Sequence, residues 1–408
     1  EETLFPGYAA LAPVVGTAML IRWSEGTFVG ALLGTSVMTA IGKISYPAYL
    51  WHWPIIAFLH VQDMHIDTYV GLGVIGTTFV LSWATYRLLE LPARQFVSRP
   101  AKSVLFAGAA LPIIASIALA AFFESSRGLP SRFPESLNRK SEALLAFPNK
   151  LRGRCNEGPP SQPLPPEDCV LGRPDGDVDF LLVGDSHANH FTGFMDELGK
   201  DANMRGYDMT RSSTPFLPGV DHWSLREGKE DHHENFVPRN LFVSQLLKQR
   251  RFKVVVLAGN YTSFSNDEII RSSDAAGSVA LELGLHEAVR QARRSADRVI
   301  VITTIPLLDV GLHDCSLKIE RFGGEADCRM STDKHHANSA RASEIYSRLQ
   351  DDFTEITWVN PEEILCDSHY CASEMDGVPL YKDRGHLNDV GSRLLARKWL
   401  EKFGNPLV

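Results

Sequence analysis

Three short stretches hold side chains that could together carry out acyl chemistry. FLLVGDSHANHF, residues 180–191, is an apolar run broken at Gly184 and followed by Asp185 and Ser186. VVVLAGNYTSF, residues 254–264, breaks the same way, at Gly259 and Asn260. YKDRGHLNDVGS, residues 381–392, places Asp383 and His386 three apart. A serine oxygen attacks only when a base takes its proton and a carboxylate orients that base. The oxyanion that follows needs donors, and losing one typically costs roughly 2.7–4 kcal/mol. Ser186, His386, Asp383 and Asn260 supply one group for each task. The plainer alternative is that Ser186 only N-caps a helix starting near Ala188.

These residues need a scaffold that brings chain ends together. Val178–Val183 is short, β-branched and bounded by glycine, the pattern of a strand buried on both faces. Similar runs occur at 206–210, 253–258, 298–303 and 356–359, and helical patterns at about 187–199, 239–249, 279–294, 336–350 and 389–403. Such alternation predicts a doubly wound parallel sheet. Open sheets of this kind bind ligands at the carboxyl ends of their strands, where Ser186 and Asn260 would lie.

Composition divides the chain in two. Its net charge of −8 and lack of a basic block argue against nucleic acid. Residues 1–123 carry six basic and six acidic side chains between long uncharged runs, whereas the remainder is normally charged and holds all six cysteines. Of the runs at 3–21, 26–42, 44–62, 68–86 and 104–123, four have the length and apolarity of membrane spans. The run 26–42 is separated from the next by Lys43 alone and reads as re-entrant or interfacial. Four spans also place Arg22, Lys43, Arg87, Arg94, Arg99 and Lys102 on one side and Asp63 and Asp67 on the other, obeying the positive-inside rule. Everything after Glu124 is then exported. Cys155/Cys169, Cys315/Cys328 and Cys366/Cys371 form sequence-local pairs suited to an oxidising compartment, although spacing alone does not fix connectivity. Residues 124–176 read as a linker with one helix around Lys140–Phe147. Its later part is stiffened by Pro159, Pro160, Pro163, Pro165, Pro166 and Pro174.

GKISYPAYLWHWPI, residues 42–55, and TYRLLELPAR, residues 85–94, resemble the C-terminal helices of the membrane-bound acyltransferase family 3. His52 lies near the inner end of a span, where a hydrogen bond to a neighbouring helix is the favoured reading over catalysis. The family's donor-handling histidine and arginine motifs belong to helices upstream of these. With Glu1-Glu2 at the start and no initiator methionine, the chain is expected to be a fragment lacking them. The stretch 177–403 resembles the SGNH hydrolases, whose blocks are Gly-Asp-Ser, a glycine, Gly-x-Asn and Asp-x-x-His. The resemblance implies an SGNH-like sheet over 177–408, with Ser186 as nucleophile, His386 as base and Asp383 as its partner. It assigns the oxyanion hole to Asn260 and the Ser186 N–H. Gly219 stands as the second-block glycine, with Ser213 or Thr214 as alternative donors.

The joint architecture resembles bacterial O-acetyltransferases of surface polysaccharides such as lipopolysaccharide O-antigen. It implies a multi-pass inner-membrane protein with a periplasmic C-terminal domain. The acceptor would be a surface polysaccharide or lipid-linked glycan, the ultimate donor acetyl-CoA, and the SGNH domain would bind no cofactor. A periplasmic esterase removing acetyl groups and a non-catalytic glycan-presenting domain are the competing readings. Asp376 and Asp389 rival Asp383, and His369 rivals His386. His187 and His190 are expected to shape the site or pack. The DHHEN stretch, 231–235, and His335-His336 lack the spacing of a metal site and read as solvated surface.

Overall fold

The computed structural model describes residues 8–62, 64, 66–96, 100–146, 155–156, 167–226, 229–265 and 270–408. The expected proline-stiffened tether, apart from Pro174, lies outside them. Two compact units divide the chain, Glu1–Pro130 and Ser131–Val408.

The first unit is helical and turns its large apolar side chains outward; Phe28 and Tyr69 are each 84% exposed. Two helices are long and apolar enough to cross a membrane, Thr68–Arg94 and Phe106–Ser125, and Tyr8–Trp23 is apolar but shorter. Of the four expected spans, these criteria pick out the last two among the described residues. The boundary at Lys43, which made 26–42 a separate re-entrant or interfacial segment, is corrected. A short helix, Phe28–Leu33, precedes one continuous helix, Ser36–Val61, that runs through Lys43, Pro47 and Pro54. A helix satisfies its own backbone and tolerates proline in apolar surroundings, so a lone lysine need not end it. Trp51 Nε1 donates to Thr85 Oγ1 at 2.9 Å and ties this helix to its successor.

The second unit is built on a six-stranded sheet. Its order is Val170–Gly172, Arg205–Thr210, Phe180–Gly184, Phe252–Ala258, Ala296–Ile302 and Thr357–Val359. The last five are mutually parallel, and the first is antiparallel to its neighbour. Alternation along each strand feeds two cores, because successive side chains point to opposite faces. Leu181, Val183, Val255 and Leu257 pack under the helices Phe236–Gln249, Gly277–Ser295 and Thr332–Asp352. Phe180, Leu182, Val254 and Val256 pack under Thr192–Asp201 and Asp389–Phe403. The five expected strands and the five expected helical regions are all present, the first helix broken into Ser186–Asn189 and Thr192–Asp201.

Strand order reverses between Phe180–Gly184, which has Arg205–Thr210 on one side, and Phe252–Ala258 on the other. A crevice opens at such a switch point. Gly184 pairs with both Thr210 and Ala258 there. It has φ +152°, and a Cβ on it would lie 1.8 Å from the Ala258 carbonyl oxygen.

The linker expectation changes too. The helix runs Glu135–Leu145, earlier than the sequence suggested, and belongs to the second unit. Lys140 bridges Glu320 at 3.4 Å and Glu374 at 3.1 Å, and the Ala146 carbonyl accepts from the Asp389 N–H at 3.1 Å.

Gly184→Ala is expected to destabilise the domain by upward of ~3 kcal/mol, since backbone must move to admit the methyl group. Thermal unfolding followed by circular dichroism checks this; an unchanged midpoint would contradict the close approach.

Candidate active site

The turn after Phe180–Gly184 assigns capping to a neighbour of the serine. Asp185 is the N-cap of Ser186–Asn189, its Oδ1 accepting from the His187 N–H at 2.7 Å. Its Oδ2 accepts from the Asn260 N–H at 3.0 Å, joining the two strand ends across the crevice. The capping reading of Ser186 is thereby corrected. Ser186 is the first helical residue, half-buried, with its hydroxyl free for other work.

That hydroxyl meets His386. Ser186 Oγ lies 2.9 Å from His386 Nε2, and His386 Nδ1 lies 2.9 and 3.1 Å from the two Asp383 oxygens. A carboxylate can only accept, so Nδ1 carries the proton and Nε2 stays open to take the serine's. Asp383 Oδ1 also accepts from the N–H groups of Gly385 and His386, each at 2.9 Å. Partial burial pushes its carboxyl up, but the His386 ring and these N–H donors outweigh that and hold it well below the ordinary range. The loop is pinned by Leu308 N–H to the Arg384 carbonyl at 2.8 Å and by Asn388, which caps the final helix at Gly391 and donates to the Pro379 carbonyl.

Asn260 caps the short helix Tyr261–Phe264, its Oδ1 accepting from the Ser263 N–H at 3.3 Å. With the carbonyl end engaged, the NH₂ end is the part left for a developing oxyanion. The Ser186 N–H has no acceptor among the described residues. Gly219 is placed elsewhere: it has φ +83° and lines a cavity whose walls include none of Ser186, Asn260, Asp383 or His386. Of the two alternatives, Thr214 has spent both donors, its N–H on the Arg211 carbonyl at 3.1 Å and its hydroxyl on the Ser212 carbonyl at 2.9 Å. Ser213, at φ +54°, keeps an N–H without an acceptor among the described residues. Its loop starts against Gly184, two residues before Ser186, because the Arg211 N–H donates to the Gly184 carbonyl at 2.9 Å.

Two buried imidazoles pack against His386. His187 and His190 lie 4.7 and 6.0 Å, ring to ring, from His386. His187 Nδ1 and both His190 nitrogens lack hydrogen-bond partners among the described residues. Burial, reinforced by the His386 charge, pushes His187 down to about 3, and burial also drives His190 well below its ordinary value. Both are neutral at any working pH. Burial raises Asp185 to about 6 against the pull of the Asn260 and His187 N–H groups. The sequence marked these residues as shaping the site but not the orphaned nitrogens, which follow from packing alone.

The rivals are engaged elsewhere. Asp376 faces Lys398 at 3.4 Å, Asp389 binds Arg393 at 2.9 Å, and His369 bonds Ser368 at 2.8 Å. His335 and His336 both face Glu362; His335 is buried, so the solvated-surface reading fails for it. In the DHHEN stretch, His232 binds Asp221 at 2.9 Å, while His233 stacks on His222 at 4.0 Å. Among the described residues no cluster could hold a metal ion. In the helical unit, His52 Nδ1 donates to the Tyr49 carbonyl of its own helix at 2.7 Å, correcting the expected bond to a neighbour, which Trp51 makes instead. All three sequence-local cysteine pairs are bonded: Cys155–Cys169, Cys315–Cys328 and Cys366–Cys371.

A family model described as the SGNH domain fused to AT3 domains matches residues 154–401. The chain belongs to this family. Among curated relatives, it is 35% identical over 71 residues to "Putative O-acetyltransferase SACOL0978" of Staphylococcus aureus, covering 17% of this chain and 12% of that one. It is 37% identical over 90 residues to O-acetyltransferase OatA of Staphylococcus aureus, covering 20% and 15%. The chain thus spans under a sixth of the length of these two relatives. Among solved structures, the periplasmic domain of the lipopolysaccharide acetyltransferase of Salmonella ser. Paratyphi A superposes with TM-score 0.43 at 17% identity, covering 67% of this chain and 98% of that one.

The buried histidines of this SGNH domain set its acid sensitivity. Unfolded histidine titrates near 6.5, whereas burial holds His187 near 3, His190 well below 6.5 and His222 near 4. Below pH 6.5 the unfolded chain binds protons that the folded one refuses, so stability falls with pH by about 1.4 kcal/mol per unit for each such group. Asp185, raised to about 6, gains stability as pH falls below 6 and offsets one histidine. Denaturant titrations between pH 7 and 5 are expected to show a net loss, which His190→Leu makes shallower. A pH-independent midpoint would contradict neutral burial.

Proposed function

We propose that this chain transfers an acyl group, acetyl in the simplest case, to a hydroxyl of a cell-surface polysaccharide through an acyl-enzyme on Ser186. The observation that carries the reading is the 2.9 Å contact of Ser186 Oγ with a His386 whose other nitrogen is held by Asp383. His386 takes the hydroxyl proton as Ser186 Oγ bonds the acyl carbon, and returns it to the donor's leaving group. The acceptor hydroxyl then attacks the ester while His386 takes its proton, and the Ser186 oxygen leaves protonated. The Asn260 NH₂ and the Ser186 and Ser213 N–H groups are donors suited to the oxyanion in both halves.

Family membership supports transfer over hydrolysis, since fusion to acyltransferase helices gives the domain a reason to receive acyl groups rather than remove them. The three disulfides suit a periplasmic location, and the apolar helices Thr68–Arg94 and Phe106–Ser125 suit the inner membrane. Acetyl-CoA on the cytoplasmic side is the proposed ultimate donor, and a polysaccharide of the O-antigen type the proposed acceptor.

In cells producing the full-length protein, Ser186→Ala should lower polysaccharide O-acetylation by at least ~10³-fold. His386→Ala should do about the same, and the double variant no worse, because members of one catalytic unit are not additive. Mass spectrometry of the released glycan reads this. Undiminished acetylation by Ser186→Ala would overturn the proposal, and excess acetylation would favour an esterase.

A further inference from the structure

A cavity of about 630 Å³ lies away from the triad, walled by the segment Pro218–Trp223, Arg271–Ser273 and two helices. This is within the usual range of ligand sites, roughly 300–1,000 Å³. It is held open by bonds that leave little slack. Asn240 at its base accepts from the Leu217 N–H at 2.6 Å and donates to the Pro215 and Phe236 carbonyls at 3.3 and 3.0 Å. Facing it from Phe236–Gln249 are Val237, Asn240, Leu241, Ser244 and Lys248. This helix stripe lines the cavity with an amide and a hydroxyl where a core would have apolar groups, and Lys248 stands at its exposed rim.

One of its polar groups is open to a partner. Ser244 is only 8% exposed, yet its hydroxyl makes no hydrogen bond among the described residues, not even the usual one to the preceding turn. That hydroxyl is not sealed from the cavity and would find a partner in a hydroxyl-bearing occupant. Trp223 supplies an aromatic wall, braced by the Arg271 guanidinium 5.8 Å from the ring centroid.

The lining also narrows the ligand class. Lys248 and Arg271 are balanced by Asp221 and Glu287, so no excess charge favours a phosphate. Polar groups interrupt every wall, which disfavours a lipid chain. An indole on the wall, with hydroxyls, amides and paired charges around it, suits a sugar ring, whose C–H groups pack on aromatic surface while its hydroxyls bond to the polar groups. The cavity is joined to the triad by a single loop. That loop starts on the Gly184 carbonyl and passes Gly259, where Pro215 Cβ lies 3.3 Å from where a Cβ would sit. It then reaches Gly219 on the cavity wall.

We propose that this cavity is a distal subsite for a glycan chain, resting on the polysaccharide reading above, and that it holds sugar residues some way along the polymer from the one acylated at Ser186. Binding would be measured by calorimetry on the full chain in detergent, carrying Ser186→Ala. The probes are size-graded, de-O-acetylated oligosaccharides from the producing bacterium's surface polysaccharide. Affinity is expected to rise with chain length, and Trp223→Ala to weaken the longest chain at least 10-fold with Trp223→Phe retaining most of it. Ser244→Leu, which fills the cavity, should weaken it similarly, and Lys248→Ala provides a surface variant that leaves the core intact and should weaken it too. Length-independent binding, or binding that none of these variants alters, would overturn the subsite. The readout involves no catalysis, so a failed acylation test leaves it standing, and its own failure leaves the acyl-enzyme standing.

Discussion

The backbone contact at Gly184 is the constraint on which the site depends. With only a hydrogen where other residues carry Cβ, the end of Phe180–Gly184 can lie against the Ala258 carbonyl. The sheet stays paired to its last residue, and the chain then turns sharply enough for Asp185 to reach back across the crevice. One carboxylate so placed caps the helix that begins at Ser186 and grips the Asn260 N–H. Ser186 and Asn260 follow neighbouring paired strands, and the Asp185 carboxylate fixes how the two turns beyond them meet.

Holding them this way opposes stability. Asp185 is buried with its ionised form disfavoured, and His187 and His190 are buried with nitrogens unpaired. A domain selected for stability alone would fill this space with apolar groups. The site retains polar groups packed around His386, restricting where its ring can go. The loop carrying Asp383 and His386 is in turn anchored between the two by Leu308 and after them by the Asn388 cap, so preorganisation reaches well beyond these residues.

The sheet was legible because burial on both faces leaves near-continuous apolar runs that few other structures produce. The meeting of Ser186, His386 and Asp383 was legible because each follows such a run or precedes the final helix. Where neighbours are chemically alike, sequence could not choose: Asp185 and Ser186 are both good caps, and only the register of the turn separates them. Gly219 shows the converse, a glycine in the expected region whose positive φ serves a different wall of the molecule. The helix Glu135–Leu145 is polar enough to pass for linker, and the ion pairs of Lys140 that seat it join residues far apart in sequence. Lys43 looked like a boundary because charge usually ends an apolar run, whereas the helix simply carries it. The strand pair Asp221–Arg226 and Lys229–His232 is too charged to announce itself, and with it the cavity beside Trp223 was invisible.

The central claim is that Ser186 is a nucleophile activated by His386 on Asp383. Covalent labelling with a fluorophosphonate, followed by peptide mass mapping, tests it most directly. One adduct on the peptide containing Ser186 is expected, forming at least ~10²-fold more slowly in His386→Ala, as for loss of a general base. An adduct on another serine, or labelling of Ser186 at the same rate without His386, would contradict the account.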